Sequence, residues 1–190
     1  MIKIQHRINT IVELLKVPKD YGVEIDIRTN NEGLILHHDP FKEGEDFEDF
    51  LMHFNHKFLI LNTKTEGMEE KILELLLKHK VINYFFLDLS LPYLVKYMNL
   101  GVRNIAVRFS EYEPIEFVRK FAGKLNWVWI DCFNDLILNQ KSYLELKKYF
   151  KLCLVSPELQ KKPIQSINIF KEKLIGMELD AICTKRPDLW

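Results

Sequence analysis

Cysteine is scarce in this sequence, with only Cys132, Cys153 and Cys183, an odd set, widely spaced and lacking any C-x-x-C pair. That excludes a disulfide framework and a cysteine-based structural zinc site, and leaves the three as small buried thiols. Glycine is also sparse, 7 of 190 residues, against a usual share of about 7%. Neither G-x-x-x-x-G-K-[ST] nor G-x-G-x-x-G occurs, so a glycine-rich phosphate loop is not expected. Neither sign of charge is in excess, with Lys+Arg and Asp+Glu at 27 each, so no global positive field exists to hold nucleic acid or an anionic membrane. No run reaches the roughly 18 apolar residues of a membrane span, and the first residues read as a strand rather than a charged-then-apolar leader. A cytoplasmic protein without nucleic-acid or membrane partners is expected. Linker-like Pro/Gly/Ser stretches, low-complexity tracts and sequence repeats are missing too.

Hydrophobic residues make up 47% of the 190, enough to bury one core, and residues 1–190 read as a single domain. Short β-like runs alternate with amphipathic stretches throughout. The eight main runs are Ile2 to His6, Val23 to Ile27, Phe58 to Asn62, Tyr84 to Leu87, Val102 to Val107, Trp127 to Ile130, Leu152 to Val155 and Ala181 to Thr184. A ninth, Leu34 to His37, can pair with the second through a turn at Asn30-Asn31-Glu32-Gly33. Helical stretches lie at Thr10 to Lys16, Met68 to His79, Pro92 to Met98, Pro114 to Phe121, Ser142 to Tyr149 and Ile164 to Ile175. In the second of these, Ile72, Leu75, Leu76 and His79 share one face, with Glu and Lys outside it. Alternating strands and helices predict an α/β fold, a compact (β/α)8 TIM barrel. The residues give about 24 per βα unit, where such barrels usually run to about 250 residues in all, so loops must be short. Residues 40–57 are the longest connection and can form a small helix over the barrel mouth.

In such a barrel, chemistry belongs at the C-terminal ends of the strands. Polar residues gather there: His6 and Arg7 after the first, Glu24 and Asp26 on the second, His37, His38 and Asp39 after the ninth run, Asn62 and Lys64 after the third. Glu24 and Asp26 stand two apart on one strand, so they share a face, with Cα atoms about 6.6 Å apart. Two carboxylates in a low-dielectric space repel unless a cation or a proton intervenes, and a hard divalent ion is the natural resolution. An antiparallel strand with one wet face is the alternative reading of that alternation. A glycosidase pair fits poorly, because its carboxyl groups flank the substrate from different sides. Two imidazoles can take and give protons near neutrality, while an arginine and a lysine can neutralise a phosphate. Asp88, Arg108 and Asp131 also end strands and can line the mouth. The three tryptophans read as packing residues, and His53, His56 and His79 as structural or exposed.

Taken in order, His6-Arg7, then Asn9-Thr10, Glu24-Ile25-Asp26-Ile27-Arg28-Thr29, Gly33, and His38-Asp39-Pro40 resemble the glycerophosphodiester phosphodiesterase family, with its H-R-G, E-N-T, E-x-D-V-x-x-T, D-G and H-D-x-x-L. Asn62-Thr63-Lys64 stands where the family has E-x-K, and Asp180 to Asp188 resembles the closing D-G-I-I-T-D-R-P-D. The resemblance implies a (β/α)8 barrel that hydrolyses a small phosphodiester with Mg2+ or Ca2+. It implies His6 and His38 as the acid/base pair, Arg7 and Lys64 as substrate-binding residues, and Glu24 and Asp26, with Asn62 in the place of a third acid, as metal ligands; Arg108 is a further substrate-binding candidate only by its place at a strand end. The chain departs from the family at Ile8, which replaces the glycine, at the missing segment between the first two motifs, and at Lys185, which replaces an aspartate. Asn62 replaces a carboxylate, which lowers the expected metal affinity. A barrel that binds a phosphorylated ligand without turnover is the competing expectation.

Overall fold

The computed structural model describes residues 1–30 and 33–190; the predicted turn falls partly on Asn31 and Glu32, outside the described residues. Contacts group the chain into two compact units, residues 5–100 and residues 1–4 with 101–190.

The first unit carries β2 (Gly22–Thr29), β3 (Leu34–Leu36), β4 (Glu45–Asp46), β5 (Phe58–Thr63) and β6 (Tyr84–Leu87). β2, β5 and β6 are parallel neighbours, with Asp26 opposite Asn62 and Asn62 opposite Leu87. β3 returns antiparallel on β2, as expected for the ninth run, and β4 pairs with β3. Parallel strands are covered on both faces and so read as near-continuous apolar runs. Phe58 through Leu61 and Phe85 through Leu87 are all buried.

The helices of this unit are α1 (Ile11–Leu14), α2 (Phe47–His53), α3 (Glu69–Lys78) and α4 (Leu91–Asn99). Thr10 caps α1 by accepting from the Glu13 amide, and Asp46 caps α2 by accepting from that of Asp49. α2 is the small helix expected within residues 40–57, and it buries Phe47, Phe50 and Leu51. α3 buries Ile72, Leu75 and Leu76, the face its spacing predicts. Of the three peripheral histidines, His53 ends α2, His56 is buried with its Nε2 3.0 Å from the Val17 carbonyl, and His79 meets Glu48.

The second unit holds β1 (Ile2–Gln5, whose last residue falls in the first unit), β7 (Ala106–Phe109), β8 (Trp127–Ile130), β9 (Lys151–Val155) and β10 (Ala181–Thr184). β7, β8, β9 and β10 run parallel in that order, and β1 joins β10. Its helices are α5 (Ile115–Val118), continued by a 3-10 turn, α6 (Gln140–Lys147) and α7 (Ser166–Lys173). β7 starts four residues later than its apolar run suggested: Gly101, at φ +88°, ends a turn just before that stretch, and residues 102–104 run irregularly out of it. Trp127 and Trp129 are buried packing residues, as are all three cysteines. No helix among the described residues is long and apolar enough to cross a membrane.

Candidate active site

Glu24 and Asp26 lie on β2, each 1% exposed, so the reading of β2 as a strand with a wet face does not hold. Every oxygen of the pair is met by protein. Asn62 Nδ2 donates to Glu24 Oε1 at 2.9 Å, and the Arg7 amide donates to Glu24 Oε2 at 2.8 Å. His6 Nε2 is 3.7 Å from that same Oε2. Asp26 Oδ2 accepts from Asn9 Nδ2 at 2.9 Å and lies 3.4 Å from Arg7 Nε; Lys64 Nζ is 3.3 Å from Oδ1. Burial above all, and then the charge of Asp26, push the Glu24 carboxyl from its ordinary 4.5 up to about 7.

The backbone is shaped to make these contacts. Arg7 holds φ +57°, an uncommon state for a side-chain-bearing residue, and that turn lets its amide reach Glu24 while its guanidinium reaches Asp26. Asn9 clamps Asp26 twice, since its Oδ1 also accepts the Asp26 amide at 2.8 Å. The Asp26 carbonyl in turn accepts the His37 amide at 3.0 Å, which ties the end of β3 to the acid pair.

His38 sits just beyond. Its Nδ1 is 2.8 Å from Asp39 Oδ1, and Arg28 Nε and Nη2 donate to its carbonyl at 3.0 and 2.6 Å. The hydrogen bond from His38, helped by the charges of His38, His37 and Arg7, holds the Asp39 carboxyl below its ordinary range. Arg7, Asn9, His38 and Asp39 line an open cavity of about 610 Å³ together with Leu36, Gly44 and Glu45. Gly44 is there by necessity, because a Cβ on it would stand 2.4 Å from the Leu36 carbonyl oxygen.

Seven of the eight residues singled out by sequence, His6, Arg7, Glu24, Asp26, His38, Asn62 and Lys64, therefore belong to one unit, and all but His38 are linked directly to the acid pair. Arg108 lies in the other unit, where Asp131 and Glu113 engage its guanidinium. Sequence reasoning missed the roles of Asn9 and Arg28. Asn9 had a signal, since Asn9-Thr10 stands where the family keeps E-N-T. Arg28 had none.

A hard divalent ion needs oxygen ligands, and the donor chemistry here fits one. Glu24 and Asp26 bring carboxylates, and Asn62 Oδ1 is buried with no hydrogen-bond partner among the described residues. Repulsion between the acids does not by itself demand an ion, contrary to the sequence argument, because Arg7 and Lys64 already stand against Asp26. Among the described residues no three acidic, histidine or cysteine side chains gather as a metal cluster, and Asn62 adds an amide oxygen rather than a third carboxylate.

No protein-family model matches the sequence. No curated protein matches it either. The fold does match solved structures. A crystal structure of a glycerophosphodiester phosphodiesterase from Agrobacterium tumefaciens strain C58 is similar over 100% of this chain and 99% of its own, with TM-score 0.68 and 12% identity. A second from the same organism, provisionally named a glycerophosphoryl diester phosphodiesterase, is similar over 100% of this chain and 95% of its own, with TM-score 0.67 and 12% identity. At that identity the likeness shows the fold, the α/β (β/α)8 barrel expected from the sequence. It places the resemblance to glycerophosphodiester phosphodiesterases at the level of architecture.

Proposed function

We propose that this chain is a phosphodiesterase acting on a small diester of the glycerophosphodiester kind. The observation that carries the reading is the convergence on one buried acid pair of two cations, Arg7 and Lys64, and one imidazole, His6, beside a cavity lined by a second imidazole, His38. The fold likeness supports it, because the two solved structures carry that activity in their names.

Arg7 and Lys64 take the phosphoryl oxygens, Arg7 through a planar fork and Lys64 as a mobile point charge. Asp39 fixes the His38 proton on Nδ1 and leaves Nε2 as the base. That base takes the proton of the attacking water while a new P–O bond forms on the side opposite the departing alcohol. His6, beside the Glu24 carboxylate, gives its proton to the leaving oxygen as the old P–O bond breaks. Glu24, Asp26 and Asn62 Oδ1 would hold Mg2+ or Ca2+, which supplies polarisation of the phosphoryl group.

The test is a panel of phosphodiesters with Mg2+ or Ca2+, assayed with and without chelator, using wild type and His6→Ala. Release of a phosphomonoester that chelator and His6→Ala both abolish is the expected result. A cyclic phosphate product would mark attack by a neighbouring substrate hydroxyl in place of water. Asn62, neutral where the family has an acid, favours the second reading, a barrel that binds a phosphorylated ligand without turnover. Binding of glycerol phosphate with no cleavage of any diester would select it.

A further inference from the structure

Lys64 follows β5, and β5 lies between β2 on one side and β6 on the other. Each flanking strand sends a carboxylate to the lysine. Nζ is 3.3 Å from Asp26 Oδ1 and 3.9 Å from Asp88 Oδ2. Asp26 is shared with Arg7, whose Nε lies 3.4 Å from its Oδ2, so Asp88 is the second carboxylate that Lys64 meets.

Asp88 holds φ +61°, a left-handed state uncommon for a residue with a side chain but one that aspartate adopts more readily than most. Local packing fixes the turn, since Thr63 Oγ1 donates to the Leu87 carbonyl at 3.0 Å and locks the end of β6 to that of β5. A cavity of about 230 Å³ borders Lys64 and Asp88 together with Thr63 and Ser90. Lys64 and Asp88, whose side chains are 18% and 32% exposed, thus border the same space.

We infer that Asp88 is a positioning residue for Lys64, an assignment that rests on the phosphodiesterase reading. An ammonium has three N–H donors. With Asp26 at 3.3 Å and the Asp88 carboxylate drawing the ammonium electrostatically from 3.9 Å, Nζ is held between the two acids with a donor left for a phosphoryl oxygen. Without Asp88 the ammonium collapses onto Asp26 and turns from the substrate.

The assignment makes a prediction opposite in sign to a simple field effect. Removing a negative charge near an anion site should tighten phosphate binding, whereas loss of positioning weakens it. Asp88→Asn keeps the size and tolerates the left-handed backbone; Asp88→Gly keeps the turn without any side chain. Inorganic phosphate binding is measured by calorimetry, and kcat and KM with bis(p-nitrophenyl) phosphate, in wild type, in both variants, and in each combined with Lys64→Met. Both variants are expected to weaken phosphate binding and raise KM about tenfold, the size of coupling seen between contacting groups. No further loss is expected on the Lys64→Met background. Wild-type or tighter binding in either variant overturns the assignment, as does a loss that persists without Lys64. If wild type neither cleaves the diester nor binds phosphate, the phosphodiesterase reading itself fails and takes this assignment with it.

Discussion

Replacing Asn62 by aspartate separates the two jobs of that side chain. In the wild type its amide donates to Glu24 Oε1 at 2.9 Å while its own oxygen has no partner among the described residues. Asn62→Asp removes the donor and sets a carboxylate against Glu24 at nearly the same distance. Two like charges about 3 Å apart repel by about 5 kcal/mol at an effective dielectric near 20, and the lost hydrogen bond to a charged group adds about 1.5–3 kcal/mol. Proton uptake by the new pair relieves part of this, so a net loss of about 3 kcal/mol is expected at pH 8 in chelator. For a chain of this size that is a fall in Tm of about 6–12 °C. A divalent ion reverses the sign, because three carboxylates then face one cation. Thermal unfolding with EDTA or with millimolar Ca2+ or Mg2+, and ion titration by calorimetry, measure both halves. The variant should be the less stable protein in EDTA and bind the ion at least about tenfold more tightly than wild type. An Asn62→Asp protein as stable as wild type in EDTA, and equally indifferent to the ion, would refute the placement of this side chain over the acid pair.

Gly44→Ala drives a methyl to 2.4 Å from the Leu36 carbonyl oxygen; the backbone must yield, and urea unfolding should show a loss of about 1–3 kcal/mol. Asn9→Ala removes both side-chain bonds to Asp26 and should cost about 2–4 kcal/mol in the same assay, since a buried charge loses a donor and a buried amide its acceptor. The Glu24 carboxyl, raised in the folded state from 4.5 to about 7, binds its proton more tightly folded than unfolded. Its contribution to stability is complete below about pH 4.5 and is lost as pH rises through 7. Stability of wild type should therefore slope downward across that window, and Glu24→Gln should flatten the slope when urea midpoints are compared.

Much of the architecture could be read before any coordinates. Tyr84 to Leu87, Trp127 to Ile130 and Ala181 to Thr184 form strands with the ends their apolar runs mark, because strands buried on both faces carry no polar interruption. Val102 to Val107 misled, since β propensity does not reveal that residues 102–104 run irregularly out of the turn that ends at Gly101. In the site, the two-residue spacing of Glu24 and Asp26 was enough to put both on one face. What neutralises them was not legible, since Lys64 reaches Asp26 only once β2 and β5 are aligned with Asp26 opposite Asn62, and Arg7 only through the turn after β1. Arg28 shows the same limit: its hydrogen bonds to the His38 carbonyl depend on β3 folding back along β2, and an arginine in a strand carries no sign of such a partner. Arg108 was singled out because it ends a strand, and the sequence did not show that Asp131 and Glu113 engage its guanidinium.

The most direct test of the central claim is a 31P NMR time course of glycerophosphoethanolamine with Mg2+ or Ca2+, run with wild type and with Asp26→Asn. The account predicts conversion of the diester resonance to that of a phosphomonoester, or transiently of a cyclic phosphate, by wild type, and none by the folded variant. Equal conversion by Asp26→Asn, which would place the chemistry away from the acid pair, contradicts it.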